Sequence, residues 1–157
     1  MTRQRLLIIS VLLLLMGTGW IVRFLFFQSP EEQLQRAQTK LIRAVEHRDW
    51  KTIRALMTDE YMDDFGFDRD TALKTAQDLL SGYFSLTLKT ETTYLRGTNQ
   101  IGMAKLKIKI EGTGTPVTQM VTDRVNATKE PWVFHWLKKG RWPWNWKLVQ
   151  VQNEYIQ

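Results

Sequence analysis

The sequence predicts an α+β chain: an N-terminal transmembrane helix, then three helices packed on a curved antiparallel sheet of four to five strands. Three observations carry this expectation. Leu6 to Phe27 is an apolar run of 22 residues, interrupted only by Ser10, Thr18, two glycines and Arg23. From Ser29 to about Tyr83 apolar residues recur at helical spacing. From Phe84 onward the spacing falls to two, the period of a pleated strand, and the chain ends in a tryptophan-rich stretch, Pro131 to Gln152.

The division of the chain follows: residues 1–28 form a signal-anchor and residues 29–157 one globular domain. At ~1.5 Å rise per residue, about 20 residues cross a ~30 Å hydrocarbon layer. Arg3 and Arg5 precede the run, so the positive-inside rule places the N-terminus in the cytoplasm and the domain outside it, in the periplasm of a Gram-negative cell. Arg23 lies near the far end, where its stem can carry the charge to the interface. Trp20, Phe24, Phe26 and Phe27 add an aromatic collar. The alternative is a cleaved signal peptide, with Leu6 to Met16 as its apolar region and Gly17-Thr18-Gly19 at the cleavage site, giving a secreted domain.

Ser29-Pro30-Glu31-Glu32 starts the first helix: serine caps, proline suits the first helical position, and Glu32 completes a capping box. Leu34, Ala37, Leu41, Ala44 and Val45 then follow on one face, to about Arg48. Asp49 caps a shorter helix with Ile53, Leu56 and Met57 on its apolar side. Residues 61–67 read as irregular or a very short strand pair, and Asp68 or Asp70 caps a third helix carrying Ala72, Leu73, Ala76, Leu79, Leu80 and Tyr83. Almost no linker separates the apolar run from the first helix, so the domain is expected close to the bilayer.

Leu86, Leu88, Thr90 and Thr92 alternate with Lys89 and Glu91. After a turn at Gly97-Thr98-Asn99, Ala104, Leu106, Ile108 and Ile110 alternate with Lys105, Lys107 and Lys109 as a half-buried strand. Val117, Val121 and Val125 are expected to lead a further strand, broken at residues 126–131. Five of the seven tryptophans lie in the final stretch. Trp132, Phe134 and Trp136, then Trp144, Trp146 and Leu148, read as two strands of a hairpin joined across Lys138 to Pro143.

Composition narrows the chemistry. The chain has no cysteine, which removes disulfides, thiol catalysis and cysteine-type zinc sites. Its two histidines, His47 and His135, are far apart, so no metal site is expected, and no cofactor is implied. Asp63, Asp64, Asp68 and Asp70 lack the spacing of a calcium loop. The four serines sit in no nucleophile-elbow context. Outside the N-terminal segment 19 basic residues face 16 acidic ones. That mild excess, with the expected topology, argues against nucleic acid.

Ala44-Val45-Glu46-His47-Arg48-Asp49-Trp50 resembles the break between the first two helices of the nuclear transport factor 2-like superfamily (the cystatin-like cone, which includes SnoaL-like proteins). Gly140-Arg141-Trp142 and Trp146-Lys147-Leu148-Val149 resemble its last hairpin. The resemblance covers roughly residues 29–154 and is one of fold. It implies a cone domain with a pocket between sheet and helices, in which enzymes of the superfamily place an acid and a base. The residues that could line such a pocket here are Tyr61, Tyr83, Gln119, Asp123 and His135, with Asp123, His135 and Tyr61 as the acid–base candidates. Gln119 and Asp123 share the strand face of Val117, Val121 and Val125. Sheet-edge contact and structural hydrogen bonding are the simpler roles for these side chains.

An interaction surface is expected at Lys105, Lys107 and Lys109, on the face away from the apolar stripe, and at Trp142 and Trp144, because five tryptophans are more than one hairpin face can hide. A solvated sheet face is the simpler reading of the lysines. The functional expectation is a single-pass, membrane-anchored, non-enzymatic domain that interacts with a protein partner or with a second copy of itself; periplasmic assembly subunits of type IV secretion systems offer a precedent for the architecture. The alternative is a small-molecule binder, or an isomerase- or cyclase-type enzyme, using the cone pocket.

Overall fold

The computed structural model describes residues 28–153. The expected membrane span lies outside the described residues, and no helix among them is long and apolar enough to cross a membrane. The described chain is α+β. Helices α1 (Pro30–Glu46), α2 (Trp50–Leu56) and α3 (Arg69–Ser81) precede strands β1 (Tyr83–Gly97) and β2 (Ile101–Gly114). Helix α4 (Pro116–Ala127) intervenes before β3 (Trp132–Lys138) and β4 (Trp146–Gln152). The four strands form one antiparallel sheet in the order β1-β2-β3-β4.

Helix starts follow the caps. Ser29 accepts from the Glu32 amide, and the Glu32 carboxylate accepts from the Ser29 amide, closing the capping box. Asp49 caps α2 through the Thr52 amide, and Asp68 caps α3 through the Thr71 amide. Between α1 and α2 the chain makes a Schellman turn: Arg48 N–H donates to Val45 O and Asp49 N–H to Ala44 O. Arg48 occupies the left-handed position, φ 55°, where glycine is usual. Its guanidinium donates to the Tyr83 carbonyl, which ties the turn to the start of β1.

The segment led by Val117, Val121 and Val125 is a helix, where a strand is expected from sequence. A spacing of four satisfies both periods, since it returns to one face of a strand and to one face of a helix. Local chemistry decides. Thr115 caps through the Thr118 amide and Pro116 takes the first helical turn. The sheet therefore has four strands, and there are four helices among the described residues. The second correction is at Trp144, which lies in the loop before β4 and not on the strand.

α4 occupies ground that β3 leaves open. β3 pairs with β2 only from Ile101 to Leu106, whereas β2 continues to Gly114. Beyond that point the Asn126 carboxamide accepts from Ile110 N–H at 2.8 Å and donates to Ile110 C=O at 2.9 Å. One side chain thus fills the two bonds a neighbouring strand would make. Below α4, the buried Tyr83 hydroxyl donates to Thr118 O at 3.0 Å and lies 2.9 Å from the Thr122 hydroxyl.

The main core lies between α1 and the concave face of the sheet. Leu34, Ala104 and Trp146 are fully buried, with Trp136, Leu106, Phe134 and Leu148 around them. The Trp136 indole donates to Gln38 Oε1 at 3.0 Å, so the polar edge of the ring is satisfied inside the core. Gly102 lets helix and sheet meet. A Cβ there would sit 2.7 Å from Leu34 Cδ2 and 3.0 Å from Trp146 Cζ3.

Gly102→Ala forces Leu34 and Trp146 apart and lowers stability by about 1–3 kcal/mol, read as a shift of the urea midpoint at unchanged slope. Hydrogen bonds from Thr52 and Thr71 hold the Asp49 and Asp68 carboxylates below the ordinary value. Their stabilisation is therefore full above about pH 4 and is lost as pH falls toward the depressed folded-state values. In Asp49→Asn/Asp68→Asn the caps keep an acceptor without a titrating charge, so acid-dependent loss of stability in that window becomes shallower than in the parent.

Candidate functional site

The five residues expected to line a common pocket have different surroundings. Tyr61 is buried in the main core beyond α2. Burial pushes its hydroxyl well above the usual tyrosine value, and the charges of Asp63 and Asp64 push it the same way. Tyr83 is buried in a second cluster, under α4. Gln119 and Asp123 are exposed on α4, whose packed positions are Thr118 and Thr122. The helical turn rotates both away from the face they would share on a strand. His135 alternates with the buried Phe134 and Trp136, so it lies on the outer face of the sheet, where its Nε2 is 3.0 Å from Gln152 Oε1. No cluster of three or more potential metal ligands occurs among the described residues. Trp136 and Trp146 take up the space between sheet and helices.

The lysine stripe is on the outer face, as its alternation with Ala104, Leu106 and Ile108 requires. It is partly compensated by β1. Lys107 pairs with Glu91 in register, and Lys109 lies opposite Lys89, which forms an ion pair of 2.6 Å with Glu111. Lys105 faces Tyr94 on one side and Val133 on the other, and is half-buried.

The distinctive surface is the β3–β4 loop. Lys139 and Asn145 close it: Lys139 N–H donates to Asn145 O at 2.9 Å, and the Asn145 amide donates to Lys139 O. Gly140, φ +86°, makes the turn. Pro143 is buried, while Trp142 and Trp144 on either side of it are 53% and 61% exposed. Their rings stack, centroids 5.1 Å apart and planes 21° apart. The pair is thus a preformed apolar plate held on a rigid base.

A polar relay, not evident from sequence, places this loop. Gln33 Nε2 donates to Gln28 O at 2.9 Å, and Gln33 Oε1 accepts from Lys138 Nζ at 2.7 Å. Lys138 Nζ also lies 5.9 Å over the Trp146 ring. Gln28, Ala37, Leu56, Pro143 and Trp144 share the walls of a cavity of about 110 Å³. Gln28 and the tryptophan loop therefore lie together at one end of the domain. A broader open groove of about 460 Å³ follows the exposed side of α1, between Arg36, Lys40, Arg43, His47 and Thr52.

No family profile and no curated protein matches the sequence. Solved structures do match. A conserved protein from Planctomyces limnophilus aligns with TM-score 0.61 at 13% identity, over 78% of this chain and 93% of that one. An NTF2-like protein from Cytophaga hutchinsonii aligns with TM-score 0.58 at 14% identity, over 80% and 97%. An NTF2-like protein of unknown function from Pseudomonas putida aligns with TM-score 0.53 at 10% identity, over 78% and 83%. The described domain has the NTF2-like fold, as the helix break at Ala44 to Trp50 and the final hairpin lead one to expect.

The placement of Tyr61 is open to a direct check. An ordinary tyrosine ionises near about pH 10. Tyr61 stays protonated there, so the tyrosinate absorbance of Tyr61→Phe matches that of the parent through this pH. A missing component in the variant would show Tyr61 to be solvated.

Proposed function

We propose that the protein is a single-pass, membrane-anchored domain, held outside the cytoplasm, that works by protein interaction or assembly and performs no chemistry of its own. The observation that carries the interaction reading is the end of the β1–β2 ribbon remote from Gln28. There Phe84 is 80% exposed at the start of β1, and Val117 and Met120 are 63% and 72% exposed on α4. Large apolar side chains gathered at one end of a domain are what a protein contact needs and what a solvated surface avoids. The anchor part rests on the apolar run Leu6 to Phe27, the two arginines before it, and Ser29 capping α1 directly after it.

The alternative, a pocket that binds or isomerises a small molecule, requires an acid and a base on one cavity. Tyr61, Tyr83, Asp123 and His135 occupy different surroundings, and two tryptophans lie where the substrate would sit. A second copy remains a natural partner, since an exposed apolar end can be self-complementary.

Photo-crosslinking in intact cells tests the reading. With benzoylphenylalanine at Phe84 or Met120, a discrete adduct is expected in the alkali-resistant membrane fraction, at twice the chain mass if the partner is a second copy. The same probe at Thr90, on the polar middle of β1, should give none. A chain that stays in the membrane yet forms no adduct from Phe84 or Met120 would overturn the interaction reading.

A further inference from the structure

We infer that the Trp142–Trp144 plate is a second membrane contact, seated in the lipid headgroup layer beside the point where the chain enters the bilayer. The inference rests on the anchor reading of residues 6–27 and adds a site to it. The position of Gln28 carries the argument. It follows Phe27 directly in the sequence, so it marks the outer end of the apolar run. Gln33 holds it within one hydrogen bond, and through Lys138 holds it to the end of β3. Trp144 and Pro143 share a cavity wall with it. No slack intervenes, because the α1 cap begins at Ser29. A headgroup layer is only about 5–8 Å deep on each side of the hydrocarbon, so a loop within side-chain reach of Gln28 lies in or against that layer.

The chemistry of the loop suits that layer. Tryptophan prefers the membrane–water boundary, where its ring is buried and its N–H stays wet. Stacking of the two rings fixes the plate before contact, and buried Pro143 stiffens its base, so little is lost in ordering it. Lys139 and Arg141 flank the plate and are exposed, with Lys138 behind them. Their charge matches anionic headgroups. Lys139 approaches one acid, Glu60, at 3.5 Å, in an exposed and weak pair. With an apolar plate in its centre and cations at its rim, the surface fits a bilayer better than it fits a soluble acidic partner.

The chain has no cysteine, so single probes are clean. The full chain is reconstituted into vesicles of phosphatidylcholine and phosphatidylglycerol, with an environment-sensitive dye on Arg141→Cys or, as the distal control, on Met120→Cys. Vesicles carrying a shallow doxyl quencher should quench the Arg141→Cys label several-fold more than the Met120→Cys label. Adding Trp142→Ser and Trp144→Ser should lower the quenching at Arg141→Cys toward that at Met120→Cys while the far-ultraviolet dichroism and thermal midpoint are kept, because both side chains are exposed; unchanged quenching would overturn the plate as the seat of the contact. Flotation of the vesicles separates the two claims. A chain that floats but shows equal quenching at both positions overturns the membrane contact and leaves the anchor standing. A chain that fails to float overturns the anchor and the contact together.

Discussion

The structure depends on one close approach, that of α1 to the sheet over Gly102. Leu34 and Trp146 both press on the space a side chain at position 102 would occupy. A second glycine works nearby: a Cβ at Gly97 would stand 3.0 Å from the Pro30 carbonyl group. With the helix drawn in at these two points, Gln38 reaches the Trp136 indole and Gln33 reaches Lys138. The long-range polar bonds are therefore consequences of an apolar contact. They add direction to it, since each is worth only about 0.5–1.5 kcal/mol net, against roughly 1.5–3 kcal/mol for burying one large apolar side chain.

The same geometry explains why the cone has a full interior. Trp136 on β3 and Trp146 at the start of β4 project toward α1, and the helix is too close for an open chamber to survive beside them. Polar residues that might have served a chamber are used elsewhere. Tyr83 fastens α4, His135 braces β4 from outside, and Tyr61 is sealed behind α2. Exposed apolar side chains lie instead toward the two ends of the molecule, Trp142 and Trp144 at one and Phe84, Val117 and Met120 at the other, with the long β1–β2 ribbon between them.

Much of this was legible from residue order because it is local. Caps at Ser29, Asp49 and Asp68 depend on residues three apart, and the period-two patterns of β2 and β3 need no knowledge of the partner strand. The exposure of Trp142 and Trp144 was also readable, from an excess of large rings over one available face. The α4 segment reads as a strand because valines four apart suit either element, and the decisive Thr115-Pro116 pair also suits a turn. The expected facing of Gln119 and Asp123 changes with it, since a side chain's facing is inherited from its element. The Gln28–Gln33–Lys138 relay spans more than a hundred residues of sequence, and nothing local marks it.

Asn126 has a consequence beyond the fold of one chain. Where β3 stops, β2 would present bare N–H and C=O groups to solvent, the template on which a strand of another molecule can add. The carboxamide of Asn126 occupies that template at Ile110, and the helix that carries it stands in the way of any approaching strand. On the other side of the ribbon the Glu46 carboxylate takes the Leu88 amide at 2.7 Å, and the Arg48 guanidinium takes the Tyr83 carbonyl. At these points the ends of the ribbon are guarded against pairing through the main chain with a strand of another molecule. Association at that end is left to side chains, which can be selective where a bare strand edge is not.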